Sequence, residues 1–279
     1  MATFSLALIG PTASCLAKHI SVFINSMNLS ALPWDFIVIL LVLAVFVPWR
    51  GVIRVRALLA GPGTTSADRI AIYASTIALQ WAAAGLTAWR CAARGLSASS
   101  LGVSLSHPLG AVGMGLAIAF AFTLLQIAGF RHLSRIPAEQ RGRVYEVTRK
   151  VMPRNATEAL AFTALVCTVS LCEEFLFRGF VFAVFQQVFR GSVPAAVIGS
   201  SALFAVAHLY QGRRGISTTF LLGTILALAR LSTHSLAPGI IVHFVVDLLA
   251  GLAAPGALWD IARQETGTAA AASPNERVH

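Results

Sequence analysis

Charged residues are scarce in this sequence, and acidic residues are the scarcest of them. Only 11% of the 279 residues are charged, with 11 acidic against 21 basic side chains, whereas a soluble domain usually carries about 25%. The mean hydropathy of +0.76 is correspondingly high. The composition excludes a sizeable soluble domain and predicts an all-α, polytopic transmembrane helix bundle whose surface contacts the lipid bilayer.

Several further patterns are missing. The four cysteines have neither C-x-x-C nor metal-ligand spacing, which argues against a disulfide framework. No aromatic-basic repeat or nucleic-acid motif accompanies the net charge of +10. We therefore expect no nucleic-acid partner and attribute the charge to basic loops on the cytoplasmic side of a membrane. No internal repeat is evident.

Apolar stretches are abundant and predict about seven spanning helices, with six to eight as the range. The first is short because Pro33 and Pro48 flank it, so we expect it to begin before Pro33 or to cross a thinned bilayer. The fourth is too long for one straight span, which predicts a kink or a helix end near Arg178-Gly179. The seven stretches are 34–47, 70–89, 109–130, 156–189, 194–210, 216–231 and 236–253.

The chain divides into four predicted regions. Residues 1–31 form an interfacial or weakly membrane-associated segment, with a spanning helix as the alternative. Residues 32–152 hold the N-terminal helices and a basic loop, 131–155, with an amphipathic helix on the membrane surface. Residues 153–253 form a helical core that carries the polar motifs described below. Residues 254–279, rich in small residues, form a disordered tail.

The distribution of basic residues predicts the orientation. Four Lys or Arg follow the first span, seven follow the third, two lie at 213–214 and two in the tail, fifteen in all on one side. The other side carries five. Since Lys and Arg favour cytoplasmic loops, we expect an outside N-terminus and a cytoplasmic C-terminus.

Three acids and two histidines lie well inside three predicted spans, although such groups are costly there. Asp35 and Glu158 lie only at span edges. If the five side chains were buried separately, each would need its own polar partner. We therefore expect them to converge on one water-containing cavity. They are Glu173 and Glu174, then His208, then His243 and Asp247.

Helical spacing separates the two glutamates. Arg178 lies four residues after Glu174 and so on the same helix face, which predicts an internal ion pair. Glu173 projects about 100° away and is left available for chemistry. The alternative is one structural network of both acids with the arginine. His243 and Asp247, also four residues apart, share a face of their helix.

Such a set can activate water. A carboxylate and an imidazole deprotonate a water molecule aimed at a carbonyl, while a second histidine stabilises the oxyanion. Two histidines and a glutamate also resemble a zinc site, but no H-E-x-x-H is present, so zinc is possible without being favoured. A proton-coupled transporter is a further alternative, without paired broken helices or an inverted repeat to support it.

Three motifs in order, each on its own apolar segment, resemble the CPBP family, the CAAX-protease and bacteriocin-processing group of intramembrane proteases also called ABI. They are Glu-Glu-x-x-x-Arg at 173–178, Phe-x-x-x-His at 204–208 and His-x-x-x-Asp at 243–247. The resemblance covers roughly residues 153–253. The first 150 residues carry no matching motif.

The resemblance implies roles for these residues in a glutamic-type protease without an essential metal. Glu173 and His208 would activate water, and His243 and Asp247 would form the oxyanion side. Glu174, Arg178 and Phe204 would be mainly structural. Prenyl-protein proteases have Asn where Asp247 stands, and an ionised Asp cannot donate to an oxyanion, so Asp247 would orient His243 or carry a proton.

The resemblance therefore implies an intramembrane endopeptidase that cuts a peptide bond near the membrane, with a protein or peptide as substrate. A bacterial cytoplasmic membrane is the expected location, given the compact, arginine-rich chain. A non-proteolytic immunity-type or binding membrane protein on the same fold is the alternative.

Overall fold

The computed structural model describes residues 32–105, 107–137 and 140–252, and within them every regular element is a helix. This confirms the predicted all-α class. The predictions for residues 1–31 and 254–279 fall outside the described residues. The helices are α1 (Trp34–Ala60), α2 (Ser66–Ala93), α3 (Pro108–Ser134), α4 (Gly142–Val151), α5 (Ala156–Val188), α6 (Val193–Ala207), α7 (Gly212–Thr233) and α8 (Ala237–Leu252).

Five helical segments are long and apolar enough to cross a membrane: α1, α2, α3, α5, and α7 together with the short 3-10 turn Leu209–Gln211 before it. The apolar helices α6 and α8 are shorter. Each of the seven predicted stretches corresponds to one of these helices, and α4 is the helix expected within the basic segment. The predicted polytopic helical bundle is confirmed.

One predicted helix boundary was wrong, and a π-helical stretch lies beside it. Pro48 does not end the first helix, which continues to Ala60 and carries Arg50, Arg54 and Arg56 on helix instead of loop. The π-helix Val42–Phe46 immediately precedes this point. Its wider turn tolerates the absence of the backbone hydrogen bond that proline cannot donate.

A second π-helical stretch lies in α5. Of the two alternatives predicted near Arg178-Gly179, the helix end is wrong, because α5 changes to a π-helix over Glu174–Val181 and continues as α-helix to Val188. The long apolar stretch therefore forms one element of 33 residues. π-Helical turns inside α-helices occur frequently at functional sites.

Helix α2 packs beside the first half of α5, and the two run parallel. The residue numbers of contacting pairs increase along both helices, from the Arg69–Glu158 ion pair to the hydrogen bond between Trp81 Nε1 and Thr168 Oγ1. Helix α1 runs antiparallel to α2, because Asp35 near its start pairs with Arg90 near the end of α2. This arrangement brings the middle of α2 beside the centre of α5.

Helix α6 packs between α5 and α7. A phenylalanine-rich core fills the space around the π-helical part of α5, with Phe177, Phe180 and Phe204 almost completely buried. Many large apolar side chains on the outer helices remain exposed, such as Leu109 and Leu160. An apolar exterior around a buried core is what contact with lipid requires.

Candidate active site

The two adjacent glutamates lie at the point where α5 changes helix type. Glu173 is the last residue before the π-helix and Glu174 is its first. The side chain of Glu174 is 1% exposed and that of Glu173 is 12% exposed. The change from α-helix to π-helix therefore falls between Glu173, which reaches the edge of the core, and Glu174, which is fully buried.

Glu174 forms the predicted ion pair with Arg178, whose Nη1 donates to Oε1 at 2.8 Å. The Arg178 guanidinium also stacks 4.0 Å from the centre of the Phe204 ring. Two glycines permit this packing. A Cβ at Gly223 would lie 3.3 Å from Arg178 Nη2, and one at Gly239 would lie 2.9 Å from the carboxyl carbon of Glu174.

Glu173 has two oxygens in different surroundings. Oε1 accepts a hydrogen bond of 2.7 Å from Gln80 Nε2. Oε2 is buried without a hydrogen-bond partner among the described residues. It lies 3.8 Å from Nε2 of His208 and 3.9 Å from Nε2 of His243. Glu173 and His208 therefore lie close enough for one water molecule to bridge them.

His208 lies immediately after α6, and Nδ1 is 2.8 Å from the carbonyl oxygen of Phe204. Since a carbonyl only accepts, Nδ1 donates, and Nε2 of the neutral ring keeps its lone pair towards Glu173. Helix α6 has only 15 residues, or about 22 Å. This shortness lets His208 meet a residue in the middle of α5.

His243 lies between carboxylates. Nδ1 is 3.4 Å from Oε1 of Glu174, and Nε2 is 3.4 Å from Oδ2 of Asp247. The side chain of His243 is 7% exposed and that of Asp247 is 40% exposed. Asp247 is thus the most open member of the group, and it shares a helix face with His243 as predicted.

All seven predicted site residues contact one another in a single network. Phe204 connects them, because its ring contacts Arg178 and lies 4.6 Å and 6.1 Å from the ring centres of His208 and His243. Four helices contribute side chains: α5, α6 with the residue after it, α8, and α2 through Gln80.

Gln80 is the site residue that the sequence analysis missed. It is a lone amide in the apolar second span, beside Trp81. A neutral amide is not marked by the rarity of ionisable groups inside spans; its polarity within an apolar span is the signal that could have identified it. Its helix lies outside the segment that carries the three motifs.

The site was also considered as a metal centre. Within residues 32–105, 107–137 and 140–252, no group of three or more His, Cys, Asp or Glu is arranged to hold a metal ion. The arrangement that is present, a carboxylate oxygen facing two imidazole nitrogens, is suited to holding and deprotonating a water molecule.

Comparison with known proteins adds a family to this geometry. Residues 155–249 match the family model described as "Type II CAAX prenyl endopeptidase Rce1-like". That segment contains all three motifs, so the resemblance inferred from them is confirmed there. Neither the comparison with curated proteins nor that with solved structures finds a significant match.

Proposed function

We propose that this chain is an intramembrane endopeptidase in which Glu173 and His208 activate water for attack on a peptide bond. The match of residues 155–249 to a membrane endopeptidase family supports the reaction class. One observation carries the mechanism: the unpartnered oxygen of Glu173 faces Nε2 of both histidines, at 3.8 and 3.9 Å.

The first step is the activation of water. These separations exceed a direct hydrogen bond but allow one water molecule to contact two of the facing atoms at about 2.8 Å each. Oε2 of Glu173 takes one proton, while Nε2 of His208 accepts a hydrogen bond from the remaining O–H and orients the oxygen. The hydroxide forms a bond to the carbonyl carbon, and the carbonyl π electrons move to its oxygen.

The second step is the collapse of the tetrahedral intermediate. His243, as imidazolium, donates from Nε2 to the developing oxyanion, which is the role of a preorganised donor. Oε1 of Glu174, 3.4 Å from Nδ1, orients the ring. Oδ2 of Asp247, 3.4 Å from Nε2, stabilises the imidazolium until the Nε2 hydrogen turns to the oxyanion. The carbon–nitrogen bond then breaks, and the proton held by Glu173 moves to the leaving nitrogen. Asp247 needs no proton of its own here.

The substrate class follows from the site and the family. We propose the tail or leader of a membrane-associated protein or peptide, since the polar group lies among apolar helices. The matched family is described as a CAAX prenyl endopeptidase, and a CAAX protein carries its lipid on the cysteine that begins the C-terminal C-a-a-X motif. We place the C-terminus in the cytoplasm of a bacterial cell, because fifteen basic residues fall on that side against five.

We also propose that the reaction needs no metal ion, because Glu173 acts on water directly. Cleavage by the purified protein should be unchanged after dialysis against a strong chelator. Loss of cleavage under chelation, with recovery on adding zinc, would contradict this part of the proposal.

The function is tested without assuming a substrate. Membranes from cells lacking the protein are incubated with the purified chain, and new peptide termini are identified by mass spectrometry. We expect termini that appear with the wild-type chain and disappear with Glu173→Ala and with His208→Ala. No new termini, or the same termini with both variants, would contradict an endopeptidase. A cellular phenotype that survives Glu173→Gln would favour an immunity-type protein.

A further inference from the structure

We propose that Gln80 is a positioning residue that selects which oxygen of Glu173 meets the water molecule. The inference rests on the proposed function. Gln80 Nε2 donates to Oε1 at 2.7 Å, and Oε2 is the oxygen that faces the two histidines. Within the described chain, this is the hydrogen bond that distinguishes the two oxygens of Glu173.

The distinction requires a fixed donor. The terminal torsion of a glutamate side chain has a broad, nearly two-fold energy profile, so the carboxylate rotates easily when nothing holds it. An amide has no proton to exchange with a carboxylate near neutral pH, and its N–H donates without competing for the proton from water. Gln80 thus holds Oε1 of Glu173, so that Oε2 faces the two histidines and takes the proton from water.

Helix α2 is held against α5 at several points besides Gln80, so the loss of one of them leaves the helix, and Gln80 with it, in place. The next residue, Trp81, donates through Nε1 to Thr168 Oγ1 on α5 at 3.2 Å. Eleven residues before Gln80, Arg69 forms a doubly hydrogen-bonded pair with Glu158, which also belongs to α5. Helix α2 lies outside the family match at residues 155–249. The N-terminal helices therefore contribute to the reaction as well as to the bundle.

The neighbouring hydrogen bond offers a matched control. Gln80→Leu removes the donor to Glu173, whereas Trp81→Phe removes another hydrogen bond between the same two helices without touching Glu173. The assay uses a quenched fluorescent peptide spanning a Glu173-dependent cleavage site from the membrane experiment. We expect Gln80→Leu to lower kcat roughly 10- to 100-fold, the effect of losing a hydrogen bond to a charged group, with little change in KM. Trp81→Phe should keep kcat near wild type.

A second variant reports positioning even if Gln80→Leu folds poorly. In Gln80→Glu the introduced carboxyl and Glu173 share one proton at low pH, so a donor to Oε1 remains. At higher pH both ionise and repel. The ratio of variant to wild-type kcat should therefore fall as pH rises. His208, after α6, and His243, on α8, face Glu173, and Glu174 and Asp247 lie nearby. These four groups are common to both proteins, so the ratio isolates the carboxyl that replaces Gln80.

The outcomes separate this inference from the proposed function. Absence of any Glu173-dependent terminus contradicts the function itself. If wild type cleaves and folded Gln80→Leu retains kcat within about two-fold of Trp81→Phe, the positioning role is wrong. A pH-independent ratio for Gln80→Glu contradicts it equally, because a merely structural glutamine would lower activity at every pH alike.

Discussion

Helix α5 carries buried carboxylates in two regions that differ in how completely they are hydrogen-bonded. At its start, Glu158 is fully buried, and both oxygens accept hydrogen bonds. The donors are the Arg69 side chain at 2.6 and 2.8 Å, the Arg154 backbone N–H at 2.8 Å and the Asn155 amide at 2.8 Å. Such a carboxylate has no free lone pair with which to react.

In the middle of the same helix, Glu173 has one donor and one oxygen without a partner. A buried polar atom without a partner is costly, so its persistence calls for a functional explanation. The comparison teaches that burial alone does not identify a reactive acid. In the proposed mechanism the reactive acid is the one whose unpartnered oxygen faces two histidines. Among the described residues, Glu174 also has an unpartnered oxygen, but Arg178 holds its other oxygen. The following predictions test this distinction.

The largest expected effect is on catalysis at Glu173. Glu173→Gln keeps the shape and the capacity to accept from Gln80 but removes the base, so cleavage should fall roughly 10²- to 10⁴-fold. Thermal unfolding should change little, because no ion pair at short distance is lost. The measurement is kcat alongside the melting temperature. An active Glu173→Gln would remove the difference drawn between the two carboxylates.

The opposite pattern is expected at Glu158. Arg69→Met leaves the buried carboxylate without its guanidinium, and breaking one side of a buried pair costs about 3–5 kcal/mol of stability. Cleavage per folded molecule should stay near wild type. Arg56→Met is the control, because Arg56 on α1 is exposed. Equal melting temperatures for the two variants would show that the Glu158 region is not structural.

The catalytic candidates could be predicted from sequence because an ionisable group inside an apolar span is rare. Glu173, His208, His243 and Asp247 stand out for that reason. Gln80 does not, since a neutral amide in a span costs less and carries no motif. Its pairing with Glu173 depends on the parallel packing of α2 and α5, which involves residues 93 positions apart.

Helix number could be predicted for a similar reason, because length and hydropathy decide it. The extent of α1 could not. Proline normally ends a helix, and the π-helical stretch Val42–Phe46 that precedes Pro48 has no sequence signal of its own. The π-helix at Glu174–Val181 is a second case, because the sequence predicted a kink or a helix end near Arg178-Gly179 but did not indicate a π-helix.

A smaller effect is expected where α8 contacts Glu174. Gly239→Ala places a methyl group against the Glu174 carboxyl, and such overpacking typically costs about 1–3 kcal/mol. Because α8 carries His243, kcat should fall together with the melting temperature. Gly113→Ala on α3 is the control, since a Cβ there meets nothing within 4 Å. Activity lost in Gly113→Ala but kept in Gly239→Ala would contradict the role of this close approach.

The smallest effect is expected at Lys150, near the Glu158 region. Its ammonium donates to carbonyl oxygens at the end of α1, with Leu58 at 2.8 Å and Gly61 at 2.7 Å as the nearer pair. A cation at a helix C-terminus stabilises the exposed carbonyls and the helix dipole. Lys150→Met should therefore lower stability by about 1 kcal/mol, or roughly 2–4 °C in melting temperature. Since the contact lies among structural groups, kcat should not change. A loss of kcat without a loss of stability would place Lys150 with Glu173 in function, and the division of α5 into a structural start and a reactive middle would fail.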